Sequence, residues 1–209
     1  MGKLREREIV RRGGRSMSAE SAFQWQRPPA EGFTADDLDK IPDLPSHAEL
    51  IDGSLILVSP QKIFHTLMLD LLTQSLRSSA PRSKYLVRRD MSVVLSKRQR
   101  PEPDVIVVRA DAEPDLSGTW YPAEAVVLAI EVVSPESEIR DRHRKPQLYA
   151  EAGIPYHWRV ENREGKPVVY AYELDPVIKA YTPITIFRDR VQLPDPFVID
   201  IDLTELERM

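Results

Sequence analysis

AVVLAIEVVSP, residues 125–135, is the stretch on which the fold of this 209-residue chain turns. Its apolar residues follow one another without the alternation expected of a strand that is wet on one side. The run therefore reads as a central strand buried on both faces. Glu131 interrupts it. An ionised carboxylate taken out of water is costly unless it is paired, protonated or bound to a cation, so Glu131 calls for a partner from elsewhere in the chain.

Working outward, short β-rich runs precede it: YLVRRDMSVVL (85–95), read as one strand, and DVIVVR (104–109), opened by Asp104 after Pro103. Further upstream, apolar residues at 64, 67, 68, 71, 72 and 76 recur at helical spacing, with His65 in the first turn of that helix. AELID and SLILVS flank Asp52 and Gly53, a strong hairpin signal that puts Glu49 on the first strand. Thr34 to Lys40 reads as a short helix capped by Thr34 and ended by Pro42 and Pro45. Downstream, a helix ends at Gly153 with Pro155 just beyond. Pro146 is tolerated only in a first turn, so the regular part of this helix is expected to begin around Arg142 to Pro146, with Lys145 at or near its start. YHWRVE, PVVYAYEL, the run near Ile184 to Phe187, and VIDIDL read as further strands.

Apolar residues are 42% and charged residues 30% of the chain, ordinary for a globular protein. The longest apolar runs fall far short of the roughly 20 residues a bilayer needs, so no membrane partner is expected. There is no cysteine. This excludes disulfides, thiolate metal sites and a cysteine nucleophile, and it suits a cytoplasmic location. The formal net charge of −4 shows no global basic field for nucleic acid. Residues 1–16 hold six Lys and Arg against two Glu, which leaves the remainder at −8 within that total. Local basic clusters remain at Arg88 and Arg89, at Lys97, Arg98 and Arg100, and at Arg140, Arg142, Arg144 and Lys145. Residues 1–24 read as a disordered arm, in which Met17 is an alternative start, and residues 25–209, from Trp25 on, as a single domain.

Asp104 and Glu131, on neighbouring strands, can supply hard oxygen ligands to Mg²⁺ or Mn²⁺, and Lys145 follows on the next element. Such an ion suits phosphodiester chemistry, with a nearby ammonium adding charge stabilisation. Taken singly, Asp104 could be a strand-entry residue, Glu131 a structural ion pair, and Lys145 a surface lysine.

These residues stand in a wider ordered set. Glu49-Leu50-Ile51-Asp52-Gly53 comes first, then Ser59-Pro60 with His65 five residues later, then Pro103-Asp104 before an aliphatic strand. Glu131-Val132-Val133-Ser134-Pro135 follows, then Asp141, Lys145 and Tyr149 at gaps of four, and Gly153-Ile154-Pro155 with Trp158. From Glu49 to Val160 the set resembles the Uma2 (DUF820) family of the PD-(D/E)XK nuclease superfamily. The resemblance implies a restriction-endonuclease-like fold of the α/β (α+β) class, a strand-rich mixed sheet flanked by helices. It also implies a metal held by Asp104, Glu131, Glu49 and the backbone carbonyl of Val132, with Asp104, Glu131, Lys145 and Glu49 as the catalytic group. The superfamily lysine usually stands two residues after the second acid, where this chain has Val133; Lys145 would replace it from the following helix. Asp141 reads as a helix cap or a partner of Lys145, Tyr149 as packing, His65 as structural or phosphate-facing, and Trp158 as packing or a base-stacking ring. The expected activity is Mg²⁺-dependent hydrolysis of DNA by a homodimer. The alternatives are a nucleic-acid-binding or accessory module of the same fold without turnover, and an unrelated β-rich interaction protein.

Overall fold

In the computed structural model, which describes residues 28–113 and 115–209, residues 126–132 form a strand in the middle of a six-stranded sheet. The expected arm at 1–24, and Trp25, lie outside the described residues. In chain order, a 3-10 turn (Ala35–Asp37) precedes the hairpin of β1 (Ala48–Ile51) and β2 (Ser54–Leu57). Helix α1 (Ile63–Ser79) follows, then β3 (Tyr85–Arg89), β4 (Ser92–Val94), β5 (Val105–Arg109), β6 (Trp120–Pro122) and β7 (Val126–Val132). A π-helical turn (Arg140–Arg144) runs into α2 (Lys145–Glu151). Strands β8 (Tyr156–Arg163), β9 (Lys166–Asp175), β10 (Ala180–Phe187), β11 (Arg190–Leu193) and β12 (Ile199–Asp202) complete the chain with a 3-10 segment (Leu203–Arg208).

The central sheet has the order β10-β9-β8-β7-β5-β3. Only β7 and β8 are parallel, so the sheet is mixed and the long connection between these two strands carries α2. The two-residue period of a strand sorts the apolar side chains to two faces. Val105, Val107, Leu128 and Ile130 pack with Met68, Leu72 and Leu76 of α1 and with Ile199 and Ile201 of β12. Ile106, Val108 and Ala129 pack on the other face with Tyr149 of α2, Val93 of β4 and Tyr121 of β6. Covering both faces is what makes β5 and β7 read as continuous apolar runs. The same period places Glu131 with Ala129, on the α2 side.

The expected strand at 85–95 is two strands. Asp90 takes a left-handed φ of 53°, which aspartate tolerates better than most residues, and the chain is re-aimed there. β3 stays in the main sheet, while β4 pairs in parallel with β6, a three-residue strand too short to be read from sequence. The edge strand β10 carries Pro183 beside a register shift, a position where a missing N–H costs no ladder bond. At α2, helical winding starts before the expected boundary. The N–H of Lys145 donates to the carbonyl of Arg140, five residues back, and this widened turn precedes a proline that could neither donate nor fit an ordinary α-helical turn in mid-helix.

The β1–β2 hairpin is fixed by polar contacts. Asp52 and Gly53 have φ of 54° and 77°, as a tight hairpin turn requires, and a Cβ on Gly53 would meet the Arg98 guanidinium at 2.5 Å. Leu50 exchanges two backbone hydrogen bonds with Arg100, whose buried guanidinium grips Asp39 with two donors at 2.8 and 2.9 Å. Arg144, just ahead of α2, donates from Nε to Asp52 at 2.8 Å. Hairpin and helix are thereby set face to face.

His157 lies wholly inside, among the rings of Tyr149, Tyr172 and Tyr181, with Nδ1 3.1 Å from the carbonyl of Ala129 and Nε2 without a partner among the described residues. Burial pushes its pKa down from 6.5 to about 3. The unfolded chain therefore binds a proton that the folded one refuses between those values. The linked stability is full above pH 6.5 and is lost as pH falls toward 3, about 2 kcal/mol of it by pH 5. Thermal unfolding at pH 8 and pH 5 should show a larger drop for the wild type than for His157→Phe; equal drops would mean that His157 is protonated in the fold.

Candidate active site

Three carboxylates surround one ammonium inside the protein. Lys145 Nζ lies 2.7 Å from Glu49 Oε1, 3.0 Å from Glu131 Oε2 and 3.4 Å from Asp141 Oδ1, and all four side chains are at most 4% exposed. They come from β1, β7, the π-helical turn and the start of α2. Asp141 and Lys145 are four apart, on one face of the winding, and the hairpin lays Glu49 over them. The Tyr149 hydroxyl, one turn further along α2, donates to the other oxygen of Glu131.

Asp104 reaches the same cavity from the end of β5. β5 and β7 are antiparallel, with Val105 opposite Ile130, so the next position along that register sets Asp104 opposite Glu131. Asp104 Oδ2 accepts the backbone N–H of Val132 at 2.6 Å, and Oδ1 lies 3.0 Å from His65 Nε2 at the start of α1. The backbone N–H of Glu102 donates to Glu49 Oε1 at 3.0 Å, tying the Pro101–Pro103 segment to the cluster. Glu49, Asp104, Glu131, Val132, Asp141 and Lys145 thus line one cavity of about 50 Å³.

Its electrostatics are unbalanced. Burial raises Glu131 well above the usual carboxylate range; Lys145 pulls it down, and Asp141, Asp104 and Glu49 push it up again. Burial likewise raises Asp141, against the pull of Lys145. For Lys145 burial alone would favour the neutral amine, but Glu131, Glu49 and Asp141 override it and hold the ammonium well above the ordinary lysine value. Four carboxylates face one ammonium, and Asp141 Oδ1 is buried without a hydrogen bond among the described residues although Lys145 stands 3.4 Å away. A hard divalent cation fits this donor set, because the ligands are carboxylate oxygens and the cluster carries excess negative charge. The oxygens are gathered around Lys145 rather than converged on a point. Asp104 and Glu131 are the residues that could hold such a cation directly, with Glu49 behind them.

The structure brings together all four residues expected to act, and Val132 with them. At Val132 it is the N–H whose role is visible, holding Asp104. His65 contacts Asp104, which favours positioning over a free role. Asp141 pairs with Lys145, one of its two expected roles. Tyr149, expected to be packing, also donates to Glu131. Trp158 is buried in the core and offers no ring for stacking. Two features had no reading in the sequence. Glu161 gathers three arginines. Beside the cavity, His47 Nδ1 and oxygens of Asp90 and Glu102 lie within 4.8 Å of one another, with His47 and Glu102 paired at 2.5 Å; among the described residues this is the one group of three metal-type ligands so close.

Tyr149→Phe removes a donor from a carboxylate that water cannot reach. It should cost about 1–3 kcal/mol in denaturant unfolding. No loss would show that Glu131 is satisfied without the phenol.

The sequence matches the family model Uma2, described as "Putative restriction endonuclease", over residues 35–205. Among solved structures the chain is similar to one described as that of "a putative nuclease belonging to DUF820 from Anabaena variabilis ATCC 29413". The TM-score is 0.65 at 17% identity, over 83% of this chain and 97% of that one, a likeness of fold. No curated protein matches the chain.

Proposed function

The chain belongs to the Uma2 family, and from that membership we propose that it is a divalent-metal-dependent endonuclease that hydrolyses DNA phosphodiester bonds at the Asp104–Glu131–Lys145 cavity. The observation that carries the reading is the excess of carboxylate over ammonium in one small cavity at the sheet's end. Mg²⁺ or Mn²⁺, bound by Asp104 and Glu131 and backed by Glu49, would polarise a phosphoryl oxygen and acidify a bound water. The carbonyl of Val132 is a further candidate ligand.

The chain's own groups have distinct tasks. Asp104 is held in one orientation by the Val132 N–H on one oxygen and by His65 on the other, so little reorganisation is needed when substrate arrives. Lys145 stays charged because three carboxylates surround it. Its positive charge favours the phosphoryl transition state, which carries more charge on its equatorial oxygens than the ground state does. Tyr149 keeps Glu131 from turning away. With one such cavity per chain, cutting both strands of a duplex calls for two copies, and a C2 homodimer is the commonest closed arrangement. No helix among the described residues is long and apolar enough to cross a membrane.

The test is cleavage of DNA with and without Mg²⁺ or Mn²⁺. The wild type should cleave only with metal, and Asp104→Asn and Glu131→Gln should abolish cleavage and weaken Mg²⁺ binding measured by calorimetry. Lys145→Met should lose about 10²-fold or more in rate, the scale of one lost electrostatic stabiliser, with DNA affinity nearly intact. Because that variant also strips the cation from three buried carboxylates, its melting temperature is measured in parallel. Wild-type protein that binds DNA but does not cut it with either metal would overturn the assignment in favour of a module without turnover.

A further inference from the structure

An acid-lined cavity repels the phosphodiester it is meant to cut, so cationic surface must lie beside it. Among the described residues, clefts adjoin the cavity on two sides. One shares Asp104 and Glu102 with it and adds Asp90, against Arg89 and His47. This side is no more welcoming to a polyanion than the cavity itself. The other shares His65 and Ser134 with the cavity, has a volume of about 330 Å³, and is lined by Lys62, Arg142 and Arg163 against Glu138 and Glu161.

The second cleft has an unusual anchor. Glu161, with a side chain only 3% exposed, accepts Arg142 through two donors at 2.9 and 2.8 Å and Arg159 at 3.0 Å, and lies 2.6 Å from Arg163. Three guanidiniums beside one buried carboxylate repel one another. Glu138 also pairs with Arg142, which still leaves the group with a surplus of positive charge. Arg159 is braced beneath by the ring of Tyr170, 4.5 Å from the guanidinium carbon. Arg163 is 55% exposed, and its contact with Glu161 engages one nitrogen of a group with five N–H donors. Lys62, at the start of α1, makes no ion pair among the described residues.

We propose that this cleft seats the nucleic-acid backbone next to the scissile bond, with phosphates flanking it held between Lys62 and Arg163 and Arg142 backing them. The inference rests on the nuclease reading, since it supplies that site with its substrate track. Buried Glu161 acts as the organiser. It fixes three flexible cations in place before substrate binds, so less ordering has to occur on contact. The chain as a whole is acidic, and this cleft adjoins the cavity of Asp104 and Glu131 through His65 and Ser134.

The test uses the full chain with Asp104→Asn, which suppresses cleavage, and measures affinity for a short DNA duplex over a range of salt. Adding Lys62→Gln and Arg163→Gln should weaken binding about tenfold or more and reduce the slope of log affinity against log salt by about 1.8, since each lost phosphate contact removes about 0.9. Arg82→Gln with Lys84→Gln, beyond the far end of the 17-residue helix α1, should change neither. Melting temperatures of all variants control for folding. Unchanged affinity and slope in the Lys62 and Arg163 variant, while its parent binds DNA, would overturn the track and leave the nuclease reading standing. No salt-dependent DNA binding by the parent, together with no cleavage by the wild type, would overturn both.

Discussion

One buried ammonium holds the site together. Lys145 is surrounded by Glu49, Glu131 and Asp141, none of which could stay ionised in that interior alone. Each carboxylate belongs to a different part of the chain, so the charge requirement acts as a positional constraint. The hairpin must lie over α2, and α2 must cross the end of β7. Other contacts reinforce the arrangement: Arg144 reaches back to Asp52, and the pair of Arg100 with Asp39 pins the segment before β1. A buried ion pair is weak evidence of net stabilisation, because desolvation cancels most of the attraction. Here its effect is better understood as specifying geometry.

The same constraint explains why a carboxylate-rich cavity can exist in a chain of this size. A central strand covered on both faces excludes water, and Glu131 sits at the end of that strand, where the sheet meets α2 and the hairpin. The widened turn at Arg140–Arg144 brings Asp141 and Lys145 to one side ahead of Pro146. The negative charge left over after Lys145 is counted is suited to a divalent cation. Among the described residues, one flank of the cavity gathers Lys62, Arg142 and Arg163 around Glu161. The opposite flank sets Asp90, Glu102 and Asp104 against Arg89 and His47.

Much of this was legible from residue order. The apolar run at 125–133, the helical spacing from 64 to 76 and the Asp52-Gly53 turn each encode a local structure through periodicity or backbone preference, and each is present where it was read. Glu131 was conspicuous because a carboxylate in such a run demands an explanation on energetic grounds alone. Lys145 was harder to read, since nothing local distinguishes a buried lysine from an exposed one. The break at Asp90 and the short β6 carry no signal in the sequence, because a three-residue parallel pairing leaves no periodic trace.

By itself the sequence determined which segments are buried, where the chain turns, and that Glu131 needs a partner, because these follow from hydrophobic period, backbone dihedral preference and the cost of burying charge. The tertiary structure alone decided who the partners are. Glu49 meets Lys145, His65 meets Asp104, and Arg142, Arg159 and Arg163 meet on Glu161. Apart from neighbours on one strand, these residues are brought together by packing across the sheet's end. No local periodicity joins positions so far apart in the chain, so only the folded arrangement of hairpin, helix and sheet could say which charges neutralise one another and which are left over to bind.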